Sequence, residues 1–403
     1  MNKGTARHLS ATRESWARRV VLATIHVLNR YWPKDPNRSL ILTFPDLDDQ
    51  GLALIDELLD RQSYVTWMLR DASLDSSLLG TRLQNQGVKF IRFRSFRSII
   101  EFLRSGYIWH THGIFGNRKP PANQVVVNLW HGMPIKKMGV SLGASPTYAT
   151  WNIATSEAFV PRISEWTGMP PESVLITGLP RNDIMLRSAE KLPSRSSAMQ
   201  KARAKGFIIW MPTWRPGSSQ SSPQLDLSPA AHVVPSDEQL GRLGSLLLSH
   251  NLELGIRIHP QSARRSLEGI PGVFNVDDLS LRHGQLSLYE VIGASSGMIT
   301  DYSSVWIDYL LVDKPLIFFI PDSDQYKHDR GFYLWSHQED LPGWVVTDFE
   351  DLISVSVHVS DKHDDFGELR KIWKSRCHTG ADLSATQRIM RNIFGSADAR
   401  QSS

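Results

Sequence analysis

The feature that most restricts what this chain can fold into is a succession of short, unbroken apolar runs spaced by helical or turn-like stretches. SLILTF (39–44), SYVTWMLR (63–70), VKFIRF (88–93), YIWHTH (107–112), QVVVNLW (124–130), WNIATS (151–156) and SVLITGLPRND (173–183) form a first series. FIIWMPTWR (207–215), LELGIRIHP (252–260), GVFNV (272–276), SGMITDYSS (296–304), PLIFFIPD (315–322) and GWVV (343–346) form a second. A strand with one wet face alternates apolar and polar residues; a continuously apolar strand is covered on both faces, as in parallel sheets sandwiched by helices. GLALIDELLDR (51–61), SDEQLGRLGSLLLSH (236–250), SLYEVIGAS (287–295) and VWIDYLLV (305–312) supply such helices. The expected fold is therefore α/β, with two Rossmann-like domains whose parallel sheets face each other across a cleft. The length of 403 residues is comfortable for two cores, and the polar stretch 187–206 marks the boundary. A Ser/Pro-rich stretch at 216–235 reads as a loop.

Polar clusters follow the carboxyl ends of these strands: WHG after VVVNL, PRND after LITG, PTWR after FIIWM, HP after GIRI, and DYSS after GMIT. That edge of a parallel sheet is where ligands bind. One such cluster could be a plain helix cap, whereas five in two sheets favour a shared site in the cleft. In GMITDYSSVWIDYLLV, Asp301, Ser303 and Ser304 are good helix caps, and free N–H groups at 303–305 would suit an anion. The helix that follows is apolar almost all round, so Asp308 on it needs a buried partner.

His131 and His259 each sit just past a strand end, one in each half. A lone histidine in a turn is more often structural; a pair facing across a cleft with an anion site is an acid–base candidate, because imidazole titrates near neutral pH. His110 and His112 would share a strand face, but no third ligand at metal spacing accompanies them. No Walker loop, G-x-G-x-x-G or G-x-S-x-G occurs, and PDSD (321–324) reads as a turn rather than a metal motif. The single cysteine, Cys377, excludes an internal disulfide and suits a reducing compartment.

Residues 1–38 carry eight Lys/Arg against Glu14 and Asp35, a net of +6, while the whole chain is +4. The remainder is thus at −2, which argues against a nucleic-acid-binding body. On a helical wheel Trp16, Val20, Ala23, Thr24, Val27, Leu28 and Tyr31 line one side of this segment, and Arg18, Arg19, His26, Asn29 and Arg30 the other, with Leu22 the only apolar intruder there. The run free of charge, 20–29, is far short of the ~20 apolar residues a membrane span needs. No small-residue cleavage site follows it, which speaks against a secretory signal. Such a helix fits either the surface of an anionic membrane or the protein's own core.

The ordered motifs NLWHGMPIKKMG, TGLPRND, MPTWRP, IRIHP, ITDYSSVWIDYLLVDKPLIFFIPDSDQY and RGFYLWSHQEDLPG, over about 125–350, resemble those of the CDP-glycerol glycerophosphotransferases, enzymes of teichoic-acid and capsule-type polymer synthesis. The resemblance implies a GT-B-like fold and attack by a hydroxyl of a lipid-linked saccharide or polyol-phosphate acceptor on CDP-glycerol or a related CDP-polyol, with release of CMP. It implies His131 as the base, His259 as a second essential histidine, and Asp301, Ser303, Ser304 and Asp308 in the donor-contacting segment. Thr213, Arg215 and Arg330 match polar donor-side positions, and Lys136 and Lys137 could steer acceptor phosphates or the membrane surface. No cofactor and no metal is expected, nor a nucleic-acid partner; the expected place is the cytoplasmic face of the cell membrane, held peripherally by the N-terminal helix on anionic lipid.

The chain then divides into a basic amphipathic segment (1–38), an N-terminal acceptor domain (39–186), a C-terminal CDP-polyol donor domain (205–360), C-terminal helices (361–395) that can cross back to the first domain, and a disordered tail (396–403). Two departures from the family pattern stand out: Met133 replaces the usual Thr, and CHTGADLSATQR is a loose form of the closing motif. CDP-ribitol as donor, a nucleotide-sugar glycosyltransferase and a non-catalytic membrane-surface protein are the competing readings.

Overall fold

The computed structural model describes residues 3–116, 118–135, 138–190, 206–213, 235–257, 266–278, 281, 286–321, 340–359, 364–380 and 384–401, and every structural statement below concerns these residues. The first half holds β1 (Asp35–Leu42), β2 (Tyr64–Leu69), β3 (Lys89–Arg92), β4 (Ser105–His110), β5 (Val125–Asn128), β6 (Trp151–Ala154) and β7 (Val174–Ile176), in the order β3-β2-β1-β4-β5-β6-β7. The second holds β8 (Gly206–Met211), β9 (Leu252–Ile256), β10 (Val273–Asn275), β11 (Gly297–Thr300), β12 (Leu316–Phe319) and β13 (Trp344–Val346), in the order β10-β9-β8-β11-β12-β13. Every pairing is parallel. In both sheets the order reverses beside the opening strand, β1 or β8, the switch point at which doubly wound sheets open a crevice. Two Rossmann-like sheets is the architecture expected from the apolar runs.

The helices are α1 (Lys3–Tyr31), α2 (Asp49–Arg61), α3 (Leu78–Gln86), α4 (Phe96–Arg104), α5 (Val160–Thr167), α6 (Pro180–Glu190), α7 (Asp237–Ser249), α8 (Leu288–Ala294), α9 (Val305–Tyr309), α10 (Phe349–Ser356), α11 (Gly367–Cys377) and α12 (Ala385–Gln401). Local chemistry sets their starts: Asp48 accepts from the Gly51 N–H ahead of α2, and capping boxes pair Ser236 with Gln239 and Ser287 with Glu290. One apolar core runs without a break from Trp67 and Trp109 in the first half to Trp306 and Phe318 in the second.

Two terminal elements tie this body together. The N-terminal α1 lies on the first sheet through its less apolar side: Ile25 is buried among Phe102 and Phe115, Leu22 packs beside it, and the buried Asn29 donates to Gln124 at 2.8 Å. Trp16, Val20, Val21, Val27, Leu28 and Tyr31 are left exposed. At the other end, α12 packs Ile389, Ile393 and Phe394 into the core of the first half, with the Phe394 ring 4.5 Å from Tyr107. This helix runs to Gln401, through the stretch expected to be a disordered tail. The loose closing motif docks through long-range bonds: Thr379 N–H to Thr155 O at 2.9 Å, and Arg388 Nε to Thr177 O at 2.7 Å.

Candidate active site

The WHG turn leaves β5 under tight control. Asn128 donates its amide to Asn152 Oδ1 at 2.9 Å and accepts the Trp130 N–H at 3.2 Å. Trp130 itself takes a left-handed backbone (φ 57) and buries its indole edge-on against Trp166, 5.5 Å away. Gln50, fully buried at the start of α2, donates to both the Leu129 and the Trp130 carbonyls, at 2.9 and 3.1 Å. With its neighbours anchored, His131 is half-buried and stacks on His112, ring centroids 4.4 Å apart and planes 20° off parallel. Burial, and after it the proximity of His131, Arg70 and His110, lowers the His112 pKa to about 3, so this ring stays neutral near pH 7 and presents His131 with an uncharged neighbour.

Gly132 explains why a glycine follows. A Cβ there would lie 2.3 Å from Ser304 Oγ, and φ is +151. The turn after β5 therefore abuts the start of α9, and a methyl group here would have to displace the Ser304 hydroxyl as well as adopt a backbone that favours glycine. On the second half, the exits of β8 and β11 are joined by Thr213, whose main-chain N–H donates to both Asp301 oxygens at 2.9 Å and whose hydroxyl also donates to Asp301. Ser303 and Ser304 are half-buried, and Ser304 precedes α9 without capping it by its side chain.

Beside this contact runs a buried seam. Arg181, at the start of α6, donates Nη1 to the His131 carbonyl at 3.0 Å and Nη2 to Asp308 Oδ2 at 2.6 Å. Tyr289 donates to the same oxygen at 2.6 Å, and Asn182 reaches Asp308 Oδ1 at 3.4 Å. The Arg181 guanidinium also lies over the Tyr289 ring, 4.6 Å from its centroid. Burial works against the Arg181 charge, and Asp308 more than restores it, so its pKa is raised; burial pushes the Tyr289 hydroxyl far above its usual value despite Arg181. Two further carboxyls border the seam. Burial raises Asp48 to about 7 and Asp49 to about 6, the latter despite bonds from the Ser287 side chain and the Tyr289 backbone.

The model of the family "CDP-Glycerol:Poly(glycerophosphate) glycerophosphotransferase" matches residues 25–395. The chain belongs to this family. It is a transferase. A teichoic acid glycerol-phosphate transferase of Staphylococcus aureus (strain NCTC 8325 / PS 47) is 25% identical over 292 residues, 66% of this chain and 70% of that protein. A teichoic acid ribitol-phosphate primase of Bacillus spizizenii is 27% identical over 57% of this chain and 59% of its own. A poly(glycerol phosphate) polymerase of Bacillus subtilis (strain 168) is 23% identical, the match covering 68% of this chain but 38% of the polymerase. In fold, the chain is similar to the wall teichoic acid polymerase TagF, with a TM-score of 0.75, 19% identity, and 98% and 97% of the two chains covered. The two-sheet architecture is accordingly GT-B-like.

The family's expected site residues fall into three groups. His131, Ser303, Ser304, Asp301 and Thr213 lie at the strand exits where the halves meet. His259, Arg215, Arg330, Lys136 and Lys137 lie outside the described residues. Asp308 requires a correction: it is 0% exposed and bound to Arg181, Tyr289 and Asn182, so it joins the halves and offers no surface to a donor. That is the buried partner its helix demanded. Asp301 likewise spends its carboxylate on Thr213, shaping the site from behind. The helix ends at Val312 as expected, but only Val305–Tyr309 is α and Leu310–Val312 tightens to a 3₁₀ turn, so its dipole is slight and the hydroxyls and N–H groups matter more. Met133, the departure from the family pattern, is buried in the core.

Gln50, His112 and Tyr289 were not anticipated as site-builders, and Arg181, Asn182 and Asp183 were anticipated only as the PRND cluster at a strand end, without individual roles. PRND distributes its side chains over three destinations: Arg181 to His131 and Asp308, Asn182 to Asp308, and Asp183 to the Ala385 and Thr386 N–H groups that open α12, both at 2.8 Å. His110 is buried, with a pKa lowered by burial to about 4, and among the described residues no group of three His, Cys, Asp or Glu could hold a metal ion. A cavity of about 1050 Å³ lies between α2, α6, α11 and α12, lined by Asn182, Arg187, Lys374 and Arg388 among others; His131 and Ser304 are not part of it.

Proposed function

We propose that this transferase moves a polyol phosphate, glycerol phosphate first among the candidates, from a CDP-linked donor to an acceptor hydroxyl. His131 takes the proton of that hydroxyl; its oxygen attacks the phosphorus bearing the polyol, the bond from that phosphorus to the bridging oxygen breaks, and CMP leaves. Ser303 and Ser304 donate to the diphosphate as charge shifts to the leaving oxygen. Such transfer depends on positioning and charge stabilisation more than on covalent help, and a placed base contributes about 10²–10⁴ in rate. The observation that carries this reading is the approach of Gly132 to Ser304, which brings the turn carrying His131 against the start of α9. Relatives named for glycerol phosphate and for ribitol phosphate support the donor class, as does a TagF crystal soaked with CDPG, 20% identical with a TM-score of 0.74.

CMP release from CDP-glycerol, CDP-ribitol and a set of nucleotide sugars tests the reaction. Release of CMP from a CDP-polyol is expected, and turnover of nucleotide sugars alone would overturn it. The reading also holds that the chemistry needs no metal ion, so EDTA should leave the rate unchanged; a loss restored by Mg²⁺ would contradict that. The acceptor is a lipid-linked saccharide or polyol-phosphate chain, and the enzyme works peripherally at the cytoplasmic face of the membrane. The exposed row Trp16, Val20, Val27 and Tyr31, flanked by Arg18, Arg19 and Arg30, supports attachment through α1. No described helix is long and apolar enough to cross a membrane.

A further inference from the structure

The carbonyls of Leu129, Trp130 and His131 are consecutive, and each accepts a side-chain hydrogen bond from outside the turn. The first two take theirs from Gln50 and the third from Arg181. The two donors are themselves joined, since the Arg181 main-chain N–H donates to Gln50 Oε1 at 3.2 Å. The other arm of the guanidinium holds Asp308, whose oxygens are also engaged by Tyr289 and Asn182. Arg181 thus spans from the main chain of His131 to the helix that follows Ser304. We propose that Arg181 is a positioning residue for the transfer, setting the His131 backbone and the approach of the second half with one planar group.

The proposal rests on the reading of His131 as the proton acceptor. A buried Arg–Asp pair contributes little net stability over apolar residues of the same size, so stabilisation alone is a poor reason for it. Geometry is a better one. A guanidinium offers two fixed donor arms, whereas a lysine offers one compact charge that can hold Asp308 but not His131 O at the same time. Loss of one arm lets the turn shift, and a displacement of about 1 Å at a reacting group can lower the rate by about 100-fold.

The test compares CMP release by wild type, Arg181→Lys, His131→Ala and the double variant, with thermal unfolding as a fold check. Arg181→Lys should lower kcat by about 10–100-fold and leave the donor KM within about threefold, and should cause no further loss in the His131→Ala background. If Arg181→Lys does not fold, Arg181→Met with Asp308→Asn removes both charges and should show the same kcat loss. A kcat near wild type in the folded variant, a loss confined to KM, or an equal loss with and without His131 would overturn the proposal. Should His131→Ala turn over normally, the base assignment falls, and positioning through it falls with it. An inactive His131→Ala beside a normal Arg181→Lys would reject only the role of Arg181.

Discussion

The seam between the halves and the outer face of α1 invert the usual arrangement in opposite ways. The seam buries charge: Arg181, Asp308 and Asp49 sit where apolar side chains would be cheaper, with the partly exposed Asp48 at its border. The α1 face exposes hydrocarbon: Trp16 is 68% and Tyr31 78% accessible, while Asn29 and Ile25 face inward. Each arrangement is unfavourable for an isolated body and becomes reasonable when something else is present. Charge inside the seam is matched only while the two halves are together, so it registers them. Apolar surface on α1 is covered only when a membrane or partner covers it. One inversion fixes how the halves meet; the other leaves the surface that the proposed membrane attachment would use.

The contact at Gly132 is where the seam can be broken most sharply. Gly132→Ala places a methyl against Ser304 Oγ and forces φ +151 on an alanine, so turnover should fall about 100-fold and stability by about 1–3 kcal/mol. Adding Ser304→Gly should return part of the stability, since it removes the clash but not the strained φ. An unchanged unfolding midpoint in the single variant would show that the halves do not meet at this point.

A smaller effect is expected on the outer face. Replacing Trp16, Val20, Val27 and Tyr31 together by serine should lower binding to vesicles containing anionic phospholipid by about tenfold or more. The unfolding free energy should move by only about 0.5 kcal/mol, because exposed positions contribute little. A marked loss of stability would mean that this side packs on protein, which would undo the comparison.

The effect of the carboxyls is confined to stability and to the upper end of the pH range. Asp48 and Asp49 hold their protons more tightly in the folded state than in the unfolded chain, where a carboxyl titrates near 4. Folding therefore takes up protons between about pH 4 and 7, and stability should decline as pH rises through that window before levelling off. Asp48→Asn keeps a good helix cap, removes the ionisation, and should gain about 1–2 kcal/mol at pH 8 with no gain at pH 4. Denaturant titrations at the two pH values measure this, and an equal change at both would reject a perturbed Asp48.

The strands were readable because a buried parallel strand is a local pattern; the apolar runs correspond to β1 through β13. The clusters at their carboxyl ends were readable for the same reason. What stayed hidden is long-range. Gln50 looks like any polar residue at a helix start, and nothing within DDQGLALIDELL points to carbonyls 79 and 80 positions away. The demand of Asp308 for a partner was visible in its apolar helix, yet Arg181, 127 residues distant, was not. For α1 the periodicity separates two faces correctly, but periodicity alone does not say which one turns inward. Here the choice is made by Asn29 reaching Gln124 and by Ile25 reaching Phe102.

If His131 is the base of a transfer carried out where the two sheets' strand exits meet, its removal should stop turnover without releasing the donor. The most direct test measures donor affinity by calorimetry and CMP release on the same preparation of His131→Ala. CDP-glycerol affinity should stay within a few-fold of wild type and turnover should fall by about 10²–10⁴. Turnover close to wild type, or a loss explained wholly by weaker donor binding, would contradict it.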